Sequence, residues 1–540
     1  MVHDDHTLTR ASQWKVIGFC FFVAFGGFLF GYDIGVISGC LVMPDFIRRF
    51  GNGQTDAEGN LVLNADRQSV ITSLLSAGTF VGALGQAFTA DSLGRKASIQ
   101  FWSAIFTVGV VIQTASVTST VQLVIGRFIA GLGVGAMSAI VPLYNGEAAP
   151  KHLRGTLLCL YQLMIIIGLF LSYCIDLGTH KISTSASWRI PVGIQILWGL
   201  ILIVGPFFLP ESPRYLLGKQ RTEEARRSIA ISNGVSVDHP VVGERMEELE
   251  VAIREENEGG KVSWFECFST RNVLWKRTLN GMMLQFIQQL NGQNFYYYFG
   301  PVFFQAAGTD LDPLKIQTIL GGVSVAGTIP ALYLIETTGR RKMLMIGAVG
   351  QAISALIAGV GGNALVDQNT PKEDLTAANK TGGKLLIAFA VIHVLFFSTF
   401  WGPTPWTYLG ESFPLRVRAK CIALGSATNW VWNFLLGFFA PRIAKDIGPL
   451  ILLIFFGMLV FGFFYTYFMI PETKGLSLEQ VDEMYREGVK PWQSANWQPS
   501  HGTKRAAKFH GTEAGYDADN KARFSIDEKR DTSDEKVGEA

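Results

Sequence analysis

Tyr144-Asn145-Gly146-Glu147-Ala148-Ala149-Pro150-Lys151-His152-Leu153-Arg154 is answered far down the chain by Tyr408-Leu409-Gly410-Glu411-Ser412-Phe413-Pro414-Leu415-Arg416-Val417-Arg418. Both copies keep Tyr-x-Gly-Glu-x-x-Pro-x-x-x-Arg, and each follows the fourth apolar segment of its half. Working outward, Asp91-x-x-Gly94-Arg95-Lys96 is echoed by Glu336-x-x-Gly339-Arg340-Arg341, and Pro210-Glu211-Ser212 by Pro471-Glu472-Thr473. Gly31-x-Asp33 in the first apolar segment has a counterpart in Gly292-x-Asn294 of the seventh. Matched motifs at matched places imply a duplicated six-helix unit. Two such units related by a pseudo-twofold axis, with a cavity between them, are the architecture of carriers that work by alternating access.

The composition suits that reading. The 540 residues are 49% hydrophobic and 17% charged, with 58 Gly and 39 Phe, a balance expected of a polytopic membrane protein. Apolar segments lie near 16–43, 69–90, 97–117, 121–143, 156–178 and 190–209, then near 279–304, 314–336, 343–362, 384–409, 419–440 and 447–469. The fold class expected is an all-α membrane protein of twelve helices in two six-helix bundles. The division is 1–14 as N-terminus, 15–209 and 276–470 as bundles, 210–275 as a linker with short helices, and 471–540 as a tail, disordered after about 488. Within the linker, Glu223 to Ile229 and Glu244 to Arg254 are amphipathic. The first segment is too long for a signal-peptide core. Lys and Arg crowd the loops after even-numbered segments, which places both termini and the linker in the cytoplasm. The sequon Asn379-Lys380-Thr381 then falls outside, in the loop before segment 10, as a glycosylation candidate. The six scattered cysteines read as packing residues, not disulfides or metal ligands. A net charge of +2 does not point to nucleic acid.

Chemistry concentrates in Gln288-Gln289-Leu290-Asn291-Gly292-Gln293-Asn294, five carboxamides in seven residues of a membrane segment. Hydrocarbon leaves amides unpaired. They therefore bond neighbouring helices or face a polar, uncharged ligand in a wet cavity, and their number beside a helix-loosening Gly favours the ligand. Asp33 and Arg127 each lie within a segment, at a cost alone of about 2.5–3.5 kcal/mol at the bilayer centre. Pairing in an aqueous cavity would relieve it. Asp91 with Arg95, Glu147 with Arg154, Glu336 with Arg340, and Glu411 with Arg418 put opposite charges near helix ends. They are expected to pair across the bundles and lock the outward-facing state, unless they serve only as charge anchors.

Taken with Gly126-Arg127 and Pro471-Glu-Thr-Lys-Gly475, these motifs resemble the sugar porter branch of the major facilitator superfamily, and fungal hexose transporters in particular, from about residue 15 to 485. The resemblance implies that Gln162, Gln288, Gln289, Asn294 and Asn429 hydrogen-bond sugar hydroxyls and that Trp406 stacks on the ring. Amides both donate and accept, as hydroxyls do. Asn433 shares a helix face with Asn429, so one can bind sugar while the other braces the bundle. Where many relatives have a helix-8 Asn this chain has Ser324, which bears on sugar preference. In proton-coupled relatives the residue matching Asp33 is the protonation site and that matching Arg127 its partner, whereas facilitative relatives keep the Asp in a permanent ion pair. The expectation is a plasma-membrane monosaccharide carrier, one chain per transport unit, for glucose and related hexoses or xylose. Sugar/proton symport is preferred over facilitated uniport or a transporter-like glucose sensor. No cofactor, metal or enzyme chemistry is implied, and no GxxxxGK[ST] loop marks an ATP-driven pump.

Overall fold

The computed structural model describes residues 10–498 apart from 56–58, 60, 149–153, 259–262, 271–272, 308–310, 367–375 and 477. The apolar runs form helices. In the first half these are α1 (Arg10–Cys40), a short α2 (Pro44–Phe50), α3 (Ala65–Leu93), α4 (Arg95–Thr114), α5 (Thr120–Ala148), α6 (Arg154–Thr179) and α7 (Ala186–Val204). The linker carries α8 (Pro213–Gly218), α9 (Thr222–Asn233) and α10 (Pro240–Glu258). The second half holds α11 (Leu274–Gln289), α12 (Gln293–Ala306), α13 (Pro313–Thr338), α14 (Arg340–Leu365), α15 (Ala377–Phe396), α16 (Thr404–Glu411), α17 (Leu415–Ile447) and α18 (Ile451–Met469). A final α19 (Leu478–Arg486) follows.

By length and composition, ten helical stretches among the described residues can cross a membrane. The seventh expected crossing is not among them, because it is broken into α11 and α12. The 14 residues of α12 reach only about 21 Å, short of a bilayer core of about 30 Å. The eleventh and twelfth run on as one apolar stretch, Lys420–Met469, which turns at Gly448. Counting α11–α12 as one crossing and separating α17 from α18 restores the expected twelve. The outward surface is apolar, with Phe88, Val108, Phe208, Tyr333 and Phe464 more than half exposed, and many Ser, Thr, Asn and Gln side chains are buried among the apolar core. An apolar exterior fits lipid as the surrounding solvent.

The halves pack alike. α1 lies on α6, α3 on α5, and α4 on α7; in the second half α11 lies on α17, α13 on α15, and α14 on α18. α1 and α6 meet at backbone distance, since a Cβ on Gly31 would fall 1.7 Å from the Ile165 carbonyl oxygen. Between the halves, α3 packs on α17, α6 on α13 and α1 on α12. Polar ties close the face farther from the chain ends. Arg442 pairs with Asp66 at 2.8 Å, and His180 lies 3.4 Å from Asp312. The Tyr173 hydroxyl donates to the Tyr297 carbonyl at 3.1 Å and accepts from Gln317 at 2.8 Å.

Both amphipathic pieces of the linker become helices, longer than expected, and Leu216, Ala225, Ile229 and Met246 give them a small core. The tail is ordered beyond the expected boundary near 488. A turn at Ser494–Asn496 follows α19, Trp497 packs on the Val481–Met484–Tyr485 cluster, and Ser494 accepts from the Glu472 amide at 2.8 Å. The rest of the expected disorder, 499–540, lies outside the described residues.

Candidate functional site

The amide-rich stretch forms a helix break. Gly292 takes φ +96°, a left-handed conformation open to glycine, and the Asn291 side chain accepts from the Gln293 amide at 2.9 Å to start α12. A second break faces it. Between α15 and α16 the chain widens into a π-helical segment, Phe397–Trp401, before Pro403. Gln288 donates from its side-chain amide to the carbonyls this frees, Trp401 at 2.9 Å and Gly402 at 3.0 Å. Irregular backbone at membrane depth is tolerated where protein groups satisfy it or where it lines a cavity, and both conditions are met.

Between the halves lies a small cavity of about 50 Å³, lined by residues of both. The first half contributes Phe30, Ser138, Tyr161 and Gln162; the second contributes Gln288, Gln289, Asn294, Tyr297, Trp406, Asn429 and Trp430. All six sequence-derived binding residues, Gln162, Gln288, Gln289, Asn294, Trp406 and Asn429, therefore reach one space. Their hydrogen bonds divide them. Gln288 spends its donor on the helix break, and Asn429 donates to Gln285 at 2.7 Å and to Gln288 at 3.0 Å. Gln289 accepts from Asn294 and, at 3.0 Å, from Asn433. Gln162 and the Trp406 indole, both lining the cavity, have no hydrogen-bond partner among the described residues, so their polar groups are unused. Asn433, tied also to Ser76 at 2.6 Å, is the bracing member of the Asn429–Asn433 pair. Ser324 does not line the cavity; its hydroxyl sits 3.1 Å from that of Tyr297 and sets that ring in the wall.

Trp430, Tyr297, Phe30 and Tyr161 escaped the sequence reading. Trp430 donates to Ser138 across the halves at 3.2 Å and meets Phe30 edge to face at 4.9 Å. Its adjacency to Asn429 was the available signal.

Asp33 and Arg127 do pair, at 3.3 Å, but not in the wet cavity expected for them. Both are buried within the first half, each side chain about 1% exposed. Neither carboxylate oxygen of Asp33 completes a hydrogen bond among the described residues, so an ion pair without hydrogen-bond geometry holds them.

The charged motifs form two copies of one network near the chain-terminal face. Arg95 reaches Glu147 at 2.9 Å and Asp91 at 4.0 Å; Arg340 reaches Glu411 at 2.6 Å and Glu336 at 3.0 Å. The third echo completes each copy. Glu211 accepts from the Arg95 amide at 3.0 Å and Glu472 from the Arg340 amide at 2.8 Å. Ser212 donates to Glu147, and Thr473 to Glu411 at 3.0 Å. Gly94 and Gly339 turn with φ of +92° and +91°, each against its glutamate. Among the described residues these pairs run within each half, whereas the pairing expected across the bundles was assigned to the outward-facing state. Arg418 bonds the Gly410 carbonyl at 2.7 Å, and the Arg154 side chain lies outside the described residues. The sequon lies in the first turn of α15 and not in the loop before it, with Asn379 4% exposed.

Residues 19–485 match the family described as sugar (and other) transporter. The chain is 42% identical over 491 residues to a low-affinity glucose transporter of Kluyveromyces lactis, covering 91% of this chain and 85% of that one. It is 41% identical over 499 residues to the high-affinity hexose transporter HXT6 of Saccharomyces cerevisiae, covering 92% and 86%. Its fold is similar to that of the proton:xylose symporter XylE bound to 6-bromo-6-deoxy-D-glucose, with TM-score 0.72, 23% identity, and coverage of 88% and 99%. A partially occluded inward-open form of XylE from E. coli gives 0.69 at 23% identity, covering 86% and 100%.

Proposed function

This chain belongs to the sugar transporter family, and from that premise we propose that it carries D-glucose and related hexoses across the plasma membrane by alternating access. The observation that carries the reading is the convergence of Gln162 from α6 with Gln289, Asn294, Trp406 and Asn429 from the other half on one cavity. Amides offer donors and acceptors to sugar hydroxyls, and an indole offers its face to the apolar C–H side of a pyranose. Gln162 and Trp406 have unused polar atoms for a ligand, whereas Gln288 acts mainly by holding the α15–α16 break in shape. The names of the relatives, a glucose transporter and a hexose transporter, support hexoses as the substrate class.

With both termini in the cytoplasm, the face tied by Asp66–Arg442 and His180–Asp312 is the extracellular one, and this conformation is closed to the outside. The duplicated Arg–Glu networks hold each half together as a unit that rocks. Proton coupling runs through Asp33 and Arg127: protonating Asp33 cancels the charge that Arg127 needs and shifts the balance between conformations. Both halves of this one chain line the cavity, which supports a single chain as the transport unit. The test is uptake of labelled D-glucose by cells stripped of their own hexose carriers. Expression of the chain should restore uptake and Gln162→Ala should remove most of it. Restored glucose signalling without uptake would instead favour a sensor.

A further inference from the structure

The first half contains a second intramembrane carboxyl that the account above does not use. Asp176, in the last turn of α6, is fully buried, and both of its oxygens lack hydrogen-bond partners among the described residues. It lies against α1 so closely that a Cβ on Gly39 would come within 2.2 Å of its Oδ2. The surrounding groups offer it nothing. Tyr32 and Cys40 of α1 and Tyr173 of α6 are within electrostatic reach. The Tyr32 hydroxyl, however, donates to the Pro191 carbonyl at 3.2 Å and that of Tyr173 to the Tyr297 carbonyl at 3.1 Å. The nearby cations are committed elsewhere. Arg127 of α5 pairs with Asp33, Arg189 of α7 bonds the Ser116 carbonyl at 2.8 Å, and His180 faces Asp312 at the start of α13. The charge on α16, Glu411, lies at the opposite, chain-terminal face, held by Arg340. A bare carboxylate with no countercharge is not sustained in such a site; the neutral acid is.

Its position gives that proton a use. Asp176 lies one helical turn from His180. The His180–Asp312 contact and the Tyr173–Gln317 and Tyr173–Tyr297 bonds join the two halves just above it. Separating the halves on this face breaks all three and brings water within a turn of the carboxyl.

We propose that Asp176 is a second proton-binding site, loaded from the extracellular medium when that face closes and emptied to it when the face opens. On closing, water leaves and an external proton forms the O–H bond of the Asp176 acid; on opening, that bond breaks and the proton passes to water. The site gates closure and moves no net charge across the membrane, so it stands apart from coupling at Asp33.

Two measurements on full-length protein in lipid nanodiscs test it. Infrared spectra at neutral pH should contain a carboxylic C=O stretch that Asp176→Asn removes and Asp33→Asn leaves. Pulsed-EPR distances between spin labels at positions 61 and 447 report closure. In the Asp33→Asn background, the closed-to-open ratio should fall by about tenfold per pH unit above the hydrated carboxyl's pKa, and adding Asp176→Asn should remove that slope, with His180→Gln present in both proteins to take out the His180–Asp312 contribution. Asp176→Ser serves the same comparison if the Asn variant does not fold. No carboxylic band lost, or the same pH slope with and without Asp176, overturns the proposal. An Asp33→Asn variant that still accumulates sugar sinks the coupling at Asp33 and leaves this test intact.

Discussion

Replacing Arg340 with alanine should cost the protein stability that can be worked out from its neighbours. The guanidinium makes a two-pronged contact with Glu411, at 3.0 and 2.6 Å, and caps the end of α13 by donating to the Ile335 carbonyl at 2.7 Å. Arg340 is only 3% exposed and Glu411 24%, so the pair is largely shielded, whereas Glu336 at 47% adds little. Removing one partner of a buried pair typically costs about 3–5 kcal/mol, because the other charge stays behind unpaired. The partial exposure of Glu411 puts this case near the lower end, about 3 kcal/mol. Arg340→Lys keeps the charge but loses the fork, for about 1–2 kcal/mol. Glu411→Gln should cost less than Arg340→Ala, since Glu336 remains to the arginine. Thermal unfolding of detergent-purified protein should therefore rank Arg340→Ala below Arg340→Lys below the parent, by several degrees in all. Arg95→Ala, its counterpart against Glu147, should fall by a similar amount. An Arg340→Ala protein that melts with the parent would refute the view that these charges clamp each half.

Other outcomes follow from single positions. Gly292→Ala forces a Cβ into a left-handed turn, at about 1–2 kcal/mol, and to within 2.7 Å of Phe455; uptake should fall sharply, while Gly457→Ala, with open space around it, serves as the unaffected control. Burial works against the Asp45 carboxylate, but hydrogen bonds from Arg49, Arg48 and the Trp188 indole outweigh it and hold its pKa low. Its stabilising contribution is then present above the unfolded value of about 3.9 and lost as pH falls through the folded one. Melting temperatures across the acid range should show Asp45→Asn less stable at neutral pH and less acid-sensitive. Asp33→Asn should abolish sugar accumulation driven by a pH gradient yet retain exchange at equal pH, measured with a pH dye beside labelled sugar.

The duplicated motifs carried the fold in the sequence because each is a loop whose charges and glycine serve the same geometry twice. Their mode of pairing was not legible, since linear spacing does not tell whether Arg95 turns toward its own half or the other. The Pro-Glu-Ser and Pro-Glu-Thr echoes were visible, but the task of Glu211 and Glu472, receiving backbone amides at a helix start, needs the three-dimensional turn at Gly94 and Gly339. The amide stretch announced a polar site in lipid. That Gln288 braces while Gln162 stays free depends on a π-helical segment more than a hundred residues away, which hydrophobic periodicity does not reveal. The same holds for Asn379, whose sequon is local while its burial is tertiary.

The central claim is that polar side chains of both halves share one sugar. Counterflow of labelled D-glucose into liposomes containing the purified chain tests it most directly, since exchange needs only a site that faces each side in turn. The account predicts transient accumulation of label with the parent protein, and a loss of at least tenfold for Gln162→Ala in the first half and Asn294→Ala in the second, each still folded. Counterflow that survives both substitutions, or a parent protein that shows none, would contradict it.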